Sequence, residues 1–402
     1  GKFYMRCRAG GAVRRDWGAL LAVLWLSNII QLSLRYSWGM VLPQASRQLG
    51  LSGLEAGAVM ASFYVGYIIA GVPSGYLVDR VGARTAAGLS LVSLAAVSAF
   101  IGLSRSFAEL FTAYFAAGIL AGPVFPSSLK VVSESLEGHR RATGIGALET
   151  VAPIAFLASS LAFPPLTYAI GWNYVYIAIS ASSLAVALLY LALVPSAGRG
   201  RTGRGPSLVG TLRNFEVVKG ALTRLGGMWG LGILTWYYYI ETYTGMGAAY
   251  AQLVLVVFSA FAVVGQFLGG VLSDRWLAAG RKRLAAAGLL AFSASLILIR
   301  AADPGWGTVA IAALAGFTAY FWKAGLDAHI MEAASSTGTA SGAGLMNTVS
   351  QAGSLSPAAV GASIDAFGVD SIYPLALLAA GPLMSFAVLA AERNGRQRAG
   401  PG

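Results

Sequence analysis

Residues 75–84 read GYLVDRVGAR, and residues 270–283 read GVLSDRWLAAGRKR. Each stretch ends a long apolar run and opens a basic one. Glycines allow a tight turn, the Asp can accept hydrogen bonds from backbone N–H groups or from Arg, and the cations that follow suit a charged membrane surface. The same device used twice predicts a membrane chain of two like halves.

Outward from these stretches, the apolar runs are long enough to cross a bilayer, which takes about 20 residues each. Twelve spans are expected, at roughly 17–43, 54–78, 83–103, 107–131, 142–166, 172–194, 223–246, 248–273, 284–301, 307–327, 339–363 and 371–391. Of 402 residues, 56% are hydrophobic and 11% charged, a balance no soluble domain of this size needs. The polar stretch 195–222 divides the chain, so 1–194 and 223–402 are the expected six-helix halves and 195–222 their linker. The first span is too long for a signal-peptide core, and Met5 is the expected native start.

The net charge of +12 does not mark a nucleic-acid binder, because 22 of the 28 Lys and Arg lie in the termini and the loops after even-numbered spans. That asymmetry predicts a multi-pass cell-membrane protein with both termini cytoplasmic. Cys7 is the single cysteine, and His139 and His329 lack neighbouring ligands, so no disulfide and no metal site is expected.

Self-similarity extends beyond the two loops. ATGIGALETVAP (142–153) aligns with ASGAGLMNTVSQ (340–351) at an offset of 198, and Lys130 and Glu134 align with Lys323 and Asp327 at 193. Arg35-Tyr-Ser-Trp-Gly-Met aligns with Glu241-Thr-Tyr-Thr-Gly-Met at 206. The G-x-L-x-D-R-x-G-x-R pattern at Gly75, Leu77, Asp79, Arg80, Gly82 and Arg84, with its degenerate copy at Gly270, Leu272, Asp274 and Arg275, resembles the signature loop of the major facilitator superfamily. The resemblance covers nearly the whole chain. It implies an all-α membrane protein of two pseudo-symmetric six-helix bundles, with a substrate site near the membrane middle and alternating access by rocking.

With Arg224 and Arg300 at span ends counted with the loops, three cations are read as intramembrane: Arg35, Lys130 and Lys323. A charge in hydrocarbon costs roughly 2.5–3.5 kcal/mol on insertion scales, so it faces a cavity or a partner. Arg35 shares one helical face with Asn28, Gln31 and Trp38. Its planar fork suits a carboxylate or phosphate. The competing partner is Glu241, the pseudo-symmetric residue of span 7. Lys130 and Lys323 are each followed four residues on by an acid, Glu134 and Asp327, which places both charges on one face. A bracing or gating role near the cytoplasmic end is expected for both pairs, together with Gly75, Asp79, Arg80, Gly82, Arg84, Asp274 and Arg275. Gly75 and Gly82 are expected to give close packing and a tight turn.

The expected substrate contacts are Arg35, Asn28, Gln31, Tyr36, Trp236, Tyr237, Tyr238, Glu241, Lys323, Asn347 and Gln351. Glu241 and Glu149 are the expected proton carriers. Gln252, Ser259 and Gln266 form a further polar stripe in span 8, and Ser354 extends the one in span 11. Gly342 and Gly344, like Gly144 and Gly146, read as packing positions, since no phosphate loop G-x-x-x-x-G-K-[ST] occurs. Gly122, Pro123, Pro126 and Pro153 predict kinks.

Span 5 lacks the Gly-Pro signature of the superfamily's proton-driven drug exporters, whereas residues 122–146 resemble its organic-anion and sugar-acid porters. Transport of a small organic anion by a proton-coupled monomer without cofactor is therefore expected. The alternative is an exporter of drugs or neutral solutes with Arg35 locked to Glu241. A channel would lack paired halves with latch loops, and an enzyme would need a clustered catalytic set, which the chain does not show.

Overall fold

The structure, a computed structural model, describes residues 17–135, 144, 146–195, 214–244, 247–275, 278–302, 305–333 and 346–398. Cys7, His139, Gly342, Gly344 and most of the linker fall outside them. So do the side chains of Asp274 and Arg275, which end the helix of span 8.

All regular structure among the described residues is helical. Among the described residues, ten helices are long and apolar enough to cross a membrane. They are span 1 (Trp17–Leu49), span 2 (Gly53–Val81), span 3 (Ala83–Leu103), span 4 (Phe107–Ser135), span 5 (Gly146–Ile170), span 6 (Trp172–Leu193), span 8 (Ala248–Ser273), span 9 (Gly280–Ala301), span 10 (Trp306–Ile330) and span 12 (Tyr373–Ala391). The other two crossings are broken helices. Span 7 consists of Phe215–Gly230 and Ile233–Thr244. Span 11 runs from 346, through a 3-10 turn at Ala352–Leu355, to Ser356–Phe367. The twelve-span, all-α architecture expected from the sequence is thus present.

Span 7 departs from the expected boundary. Its helix starts at Phe215, capped by the Asn214 side chain, not at 223. The later boundary placed Arg224 at the membrane edge, whereas the earlier start sets it more than two turns inside the helix.

The breaks have local causes. In span 7 the Gly232, Leu234 and Thr235 amides bond carbonyls three residues back, tightening the chain into a turn. In span 11 Pro357 sits in the first turn of the second helix, where its missing N–H costs nothing. The two breaks support each other, because the Ser356 hydroxyl donates to the Trp229 carbonyl at 2.7 Å. Irregular backbone at membrane depth needs such internal partners. Span 4 breaks at Gly122-Pro123 as expected. In span 5 the irregularity falls at Thr150, ahead of Pro153, which is accommodated in the first turn of Val151–Ile170.

Spans 1–6 pack mainly on one another, through contacts of 2 with 4, 3 with 6, and 1 with both 5 and 6. The second half repeats this with 8 on 10, 9 on 10 and 12, and 7 on 12. The halves meet along spans 2 and 11, 1 and 7, and 5 and 8.

The end of this seam farthest from Trp17 is sealed. Span 2 begins there with a Ser52–Glu55 capping box, and the Asp365 carboxylate of span 11 accepts from the Gly53 and Leu54 amides at 2.6 and 2.7 Å. An anion on unsatisfied amides at a helix start is favoured by the helix dipole. One turn on, Gly57 lies so close to span 11 that a β-carbon would stand 2.1 Å from the Pro357 carbonyl oxygen. At the other end of span 2, Gly82 has φ of 90° and turns the chain into span 3. Gly75 differs from expectation, since a β-carbon there would meet no described atom.

Candidate functional site

Between the halves, on the side of the seal nearer Trp17, lies a cavity of about 420 Å³, within the range of roughly 300–1,000 Å³ common for small-molecule sites. Its wall includes Asn28, Gln31, Arg35 and Tyr36 of span 1, Tyr64 and Tyr67 of span 2, and Glu149 of span 5. The second half supplies Arg224, Tyr320, Lys323, Asp327, Asn347 and Gln351.

Arg35 is the central cation. Its Nε donates to the Tyr64 hydroxyl at 2.8 Å. Its guanidinium carbon lies 4.5 Å from the centre of the Tyr64 ring and 5.7 Å from that of Tyr36. These contacts orient the group without neutralising it. No carboxylate among the described residues is within ion-pair distance of Arg35. Tyr36 is held in turn by the edge of Phe156, with ring centres 5.1 Å apart. Asn28 is tied to the first bundle, donating to Ser128 Oγ at 2.8 Å and the Leu24 carbonyl at 2.7 Å. Its side-chain oxygen is buried and unpartnered among the described residues. In span 11, Ser354 donates to Gln351 at 3.3 Å and Gln351 to Asn347 at 3.4 Å, which fixes both amides along one face.

Seven of the expected substrate contacts line this cavity: Arg35, Asn28, Gln31, Tyr36, Lys323, Asn347 and Gln351. Glu149 joins them. Trp236, Tyr237, Tyr238 and Glu241 do not. The break in span 7 carries the Ile233–Thr244 helix into the sealed end. There Trp236 donates to the Pro357 carbonyl at 3.0 Å, and Tyr237 packs on Phe258. Glu241 is buried at 5% exposure without a hydrogen bond or ion pair to a described residue, and it is not a partner of Arg35. The stripe Gln252, Ser259 and Gln266 is also absent from the cavity wall.

The two lysine–acid pairs are corrected as well. Lys130 pairs with Asp79 of the signature loop at 2.7 Å, and Glu134 stands exposed without an ion pair among the described residues. This contact joins spans 2 and 4 inside the first bundle. Asp327 is taken by Arg224, with Nε on Oδ1 at 2.7 Å and Nη2 on Oδ2 at 3.4 Å. Arg224 also donates to Ser350. Lys323 instead approaches Glu149 across the seam at 3.9 Å. A spacing of four aligns two charges on a helix but does not outbid a two-point guanidinium fork from a neighbouring helix. Arg80 is exposed and Arg84 half-buried, both without an ion pair among the described residues. Among the described residues there is no cluster of His, Cys, Asp or Glu fit to hold a metal.

The geometry is that of a polar, cationic chamber between two bundles, sealed at one end. The chain is similar to several known proteins. The chain is 25% identical to a probable galactarate/D-glucarate transporter of Bacillus subtilis over 87% of this chain and 86% of that one. It is 22% identical to a probable L-galactonate transporter of Escherichia coli (77% and 74% covered) and 24% identical to a hexuronate transporter of B. subtilis (94% of each). Among solved structures, a bacterial homologue of the human lysosomal transporter Spinster, in an inward-facing and occupied conformation, superposes with a TM-score of 0.75 at 17% identity, covering 94% of this chain and 97% of that one. The profile of the Major Facilitator Superfamily matches residues 24–357. With twelve spans in two like bundles and the signature loop in place, the chain belongs to the Major Facilitator Superfamily and is a multi-pass membrane transporter, not an enzyme.

Proposed function

We propose that the protein carries a small organic anion of the hydroxylated-carboxylate class across the cell membrane by alternating access, with protons as the coupled ion. The observation that carries this reading is Arg35, a guanidinium on the central cavity held by tyrosines and by no described carboxylate. Its free N–H groups fit a substrate carboxylate, and the amides of Asn347 and Gln351 fit the hydroxyls of a sugar acid. The names of the relatives support the same class. The drug-exporter alternative required Arg35 to be locked to Glu241, and that pair is not formed. A thermal-shift screen of purified protein tests the class. Sugar acids should stabilise it, while stabilisation by cationic drugs alone would overturn the reading.

Positive charge in the termini and even loops supports a cytoplasmic position for both. The cavity then lies on the cytoplasmic side of the seal, and the structure is the inward-facing state of a monomer that rocks about spans 1, 2, 5, 7, 8 and 11. In this reading, neutralising the seal should shift the balance outward. Asp365→Asn removes a charge-assisted contact worth about 1–2 kcal/mol at an exposed site, or roughly 5- to 30-fold in population. A cysteine placed at Met40, which is buried on the sealed side, in a Cys7→Ser chain reports it. Maleimide labelling from outside should rise at least fivefold in Asp365→Asn and in Gly57→Ala; unchanged labelling in both sinks the latch.

Glu149 is the proposed proton carrier. At 3.9 Å it holds Lys323 loosely, so a proton on Glu149 frees the lysine for the substrate, and anion release lets the pair re-form. Glu241 lies away from the cavity and is not assigned this role. Glu149→Gln should abolish accumulation driven by a pH gradient yet preserve counterflow exchange, whereas Glu241→Gln should leave both intact. Full gradient-driven accumulation by Glu149→Gln rules the assignment out.

A further inference from the structure

A second, smaller pocket of about 130 Å³ lies on the sealed side, between the halves. It has room for roughly four waters. Met40, Pro43, Gln44 and Arg47 of span 1, Thr167 and Tyr168 of span 5, and Tyr238 and Thr242 of span 7 form its wall. Arg47 Nε donates to the Tyr243 hydroxyl at 2.8 Å, and the guanidinium stands 5.0 Å from that ring's centre. Its two terminal nitrogens have no partner among the described residues. The Thr167 hydroxyl is buried and likewise unpartnered. A buried hydroxyl without a hydrogen bond is disfavoured, because the water it gave up on folding has not been replaced. The pocket therefore offers, together, a free cationic fork, an unsatisfied hydroxyl and two tyrosine rings.

We infer that this pocket is a second anion site, taking the carboxylate end of a small hydroxy acid on the face opposite the central cavity. The inference rests on the organic-anion reading of the central site. The site bridges the seam that the Arg47–Tyr243 contact closes. A substrate arriving while the far side opens would meet Arg47 before Arg35, and closure would leave the small residual pocket. Its size admits a carboxylate head and not a whole six-carbon acid, which makes it a capture site and not a second transport site. A lipid phosphate has the same oxyanion chemistry and is separated by the test.

Equilibrium dialysis of the purified full chain with radiolabelled glucuronate should show two classes of site. Arg35→Gln should remove the tighter class, and Arg47→Gln and Thr167→Val should weaken the other at least fivefold. Arg47→Lys, which keeps the charge but not the fork, should weaken it less than Arg47→Gln. If Arg47→Gln changes neither class while Arg35→Gln still removes one, this site is refuted and the central reading stands. If wild type binds no sugar acid, the central reading fails and this one with it. A phospholipid retained by wild type and lost from Arg47→Gln, with glucuronate binding unchanged, would assign the pocket to lipid and overturn the inference.

Discussion

Arg35→Lys should raise the KM for sugar-acid uptake into proteoliposomes by roughly 30- to 150-fold. Lysine keeps the charge, so the change isolates what the guanidinium geometry does. In the structure the Arg35 Nε is committed to Tyr64 at 2.8 Å, which leaves the outer edge of the fork directed by two aromatic rings. A two-point contact from that edge to a carboxylate gains over a single ammonium contact by about 2–3 kcal/mol, the upper part of the range for hydrogen bonds to charged groups. That energy gives the stated fold-change at about 1.4 kcal/mol per tenfold. A lysine also loses its anchor on Tyr64, so Tyr64→Phe should show a smaller defect in the same direction. Both variants should keep a monodisperse profile and unchanged helical circular dichroism, because Arg35 closes no ion pair that the bundle needs. An unchanged KM in Arg35→Lys would remove Arg35 from the binding site.

The signature loop and the apolar runs were enough to predict twelve spans in two halves, because hydrocarbon permits few alternatives to helices. The charged face of span 1 was legible for the same reason: a polar stripe in a span has to face inward. Other parts of the site were not. Arg224 reads as a loop cation because a charge near a span end shortens the apparent apolar run, and its partners Asp327 and Ser350 lie 103 and 126 residues away. Tyr64 and Tyr67 were missed although they stand three residues apart, near one face of span 2. That spacing was a usable signal, and the surrounding apolar residues masked it. Trp236, Tyr237 and Tyr238 are expected at the substrate from the sequence, a placement that an unbroken span 7 would allow. The turn at Leu231–Gly232 carries them into the seal instead, and glycines in a span do not say by themselves whether they pack or break. The pseudo-symmetry of Lys130 and Lys323 was real in sequence but not in partners, since one holds the signature Asp79 and the other reaches across the seam.

The largest expected loss of stability comes from Asp327→Asn. Arg224 is 6% exposed and spends its guanidinium on the two Asp327 oxygens and Ser350. Removing one partner of a buried pair leaves an uncompensated charge, at a cost of about 3–5 kcal/mol where the pair is fully buried. The Asp327 side chain is 25% exposed, so water screens part of the orphaned charge, and a smaller loss, about 2–3 kcal/mol, is expected. This should appear as a drop of several degrees in the apparent Tm in detergent. The reverse test is more informative. Replacing both residues together, Arg224→Met with Asp327→Leu, buries no charge and should recover most of the lost stability, as apolar replacement of buried pairs commonly does. If Arg224 only braces spans 7 and 10 while Arg35 binds the anion, the double variant should also transport, with a KM within about threefold of wild type. A stable double variant that has lost uptake would show instead that Arg224 is a second substrate cation, released from Asp327 when the anion binds.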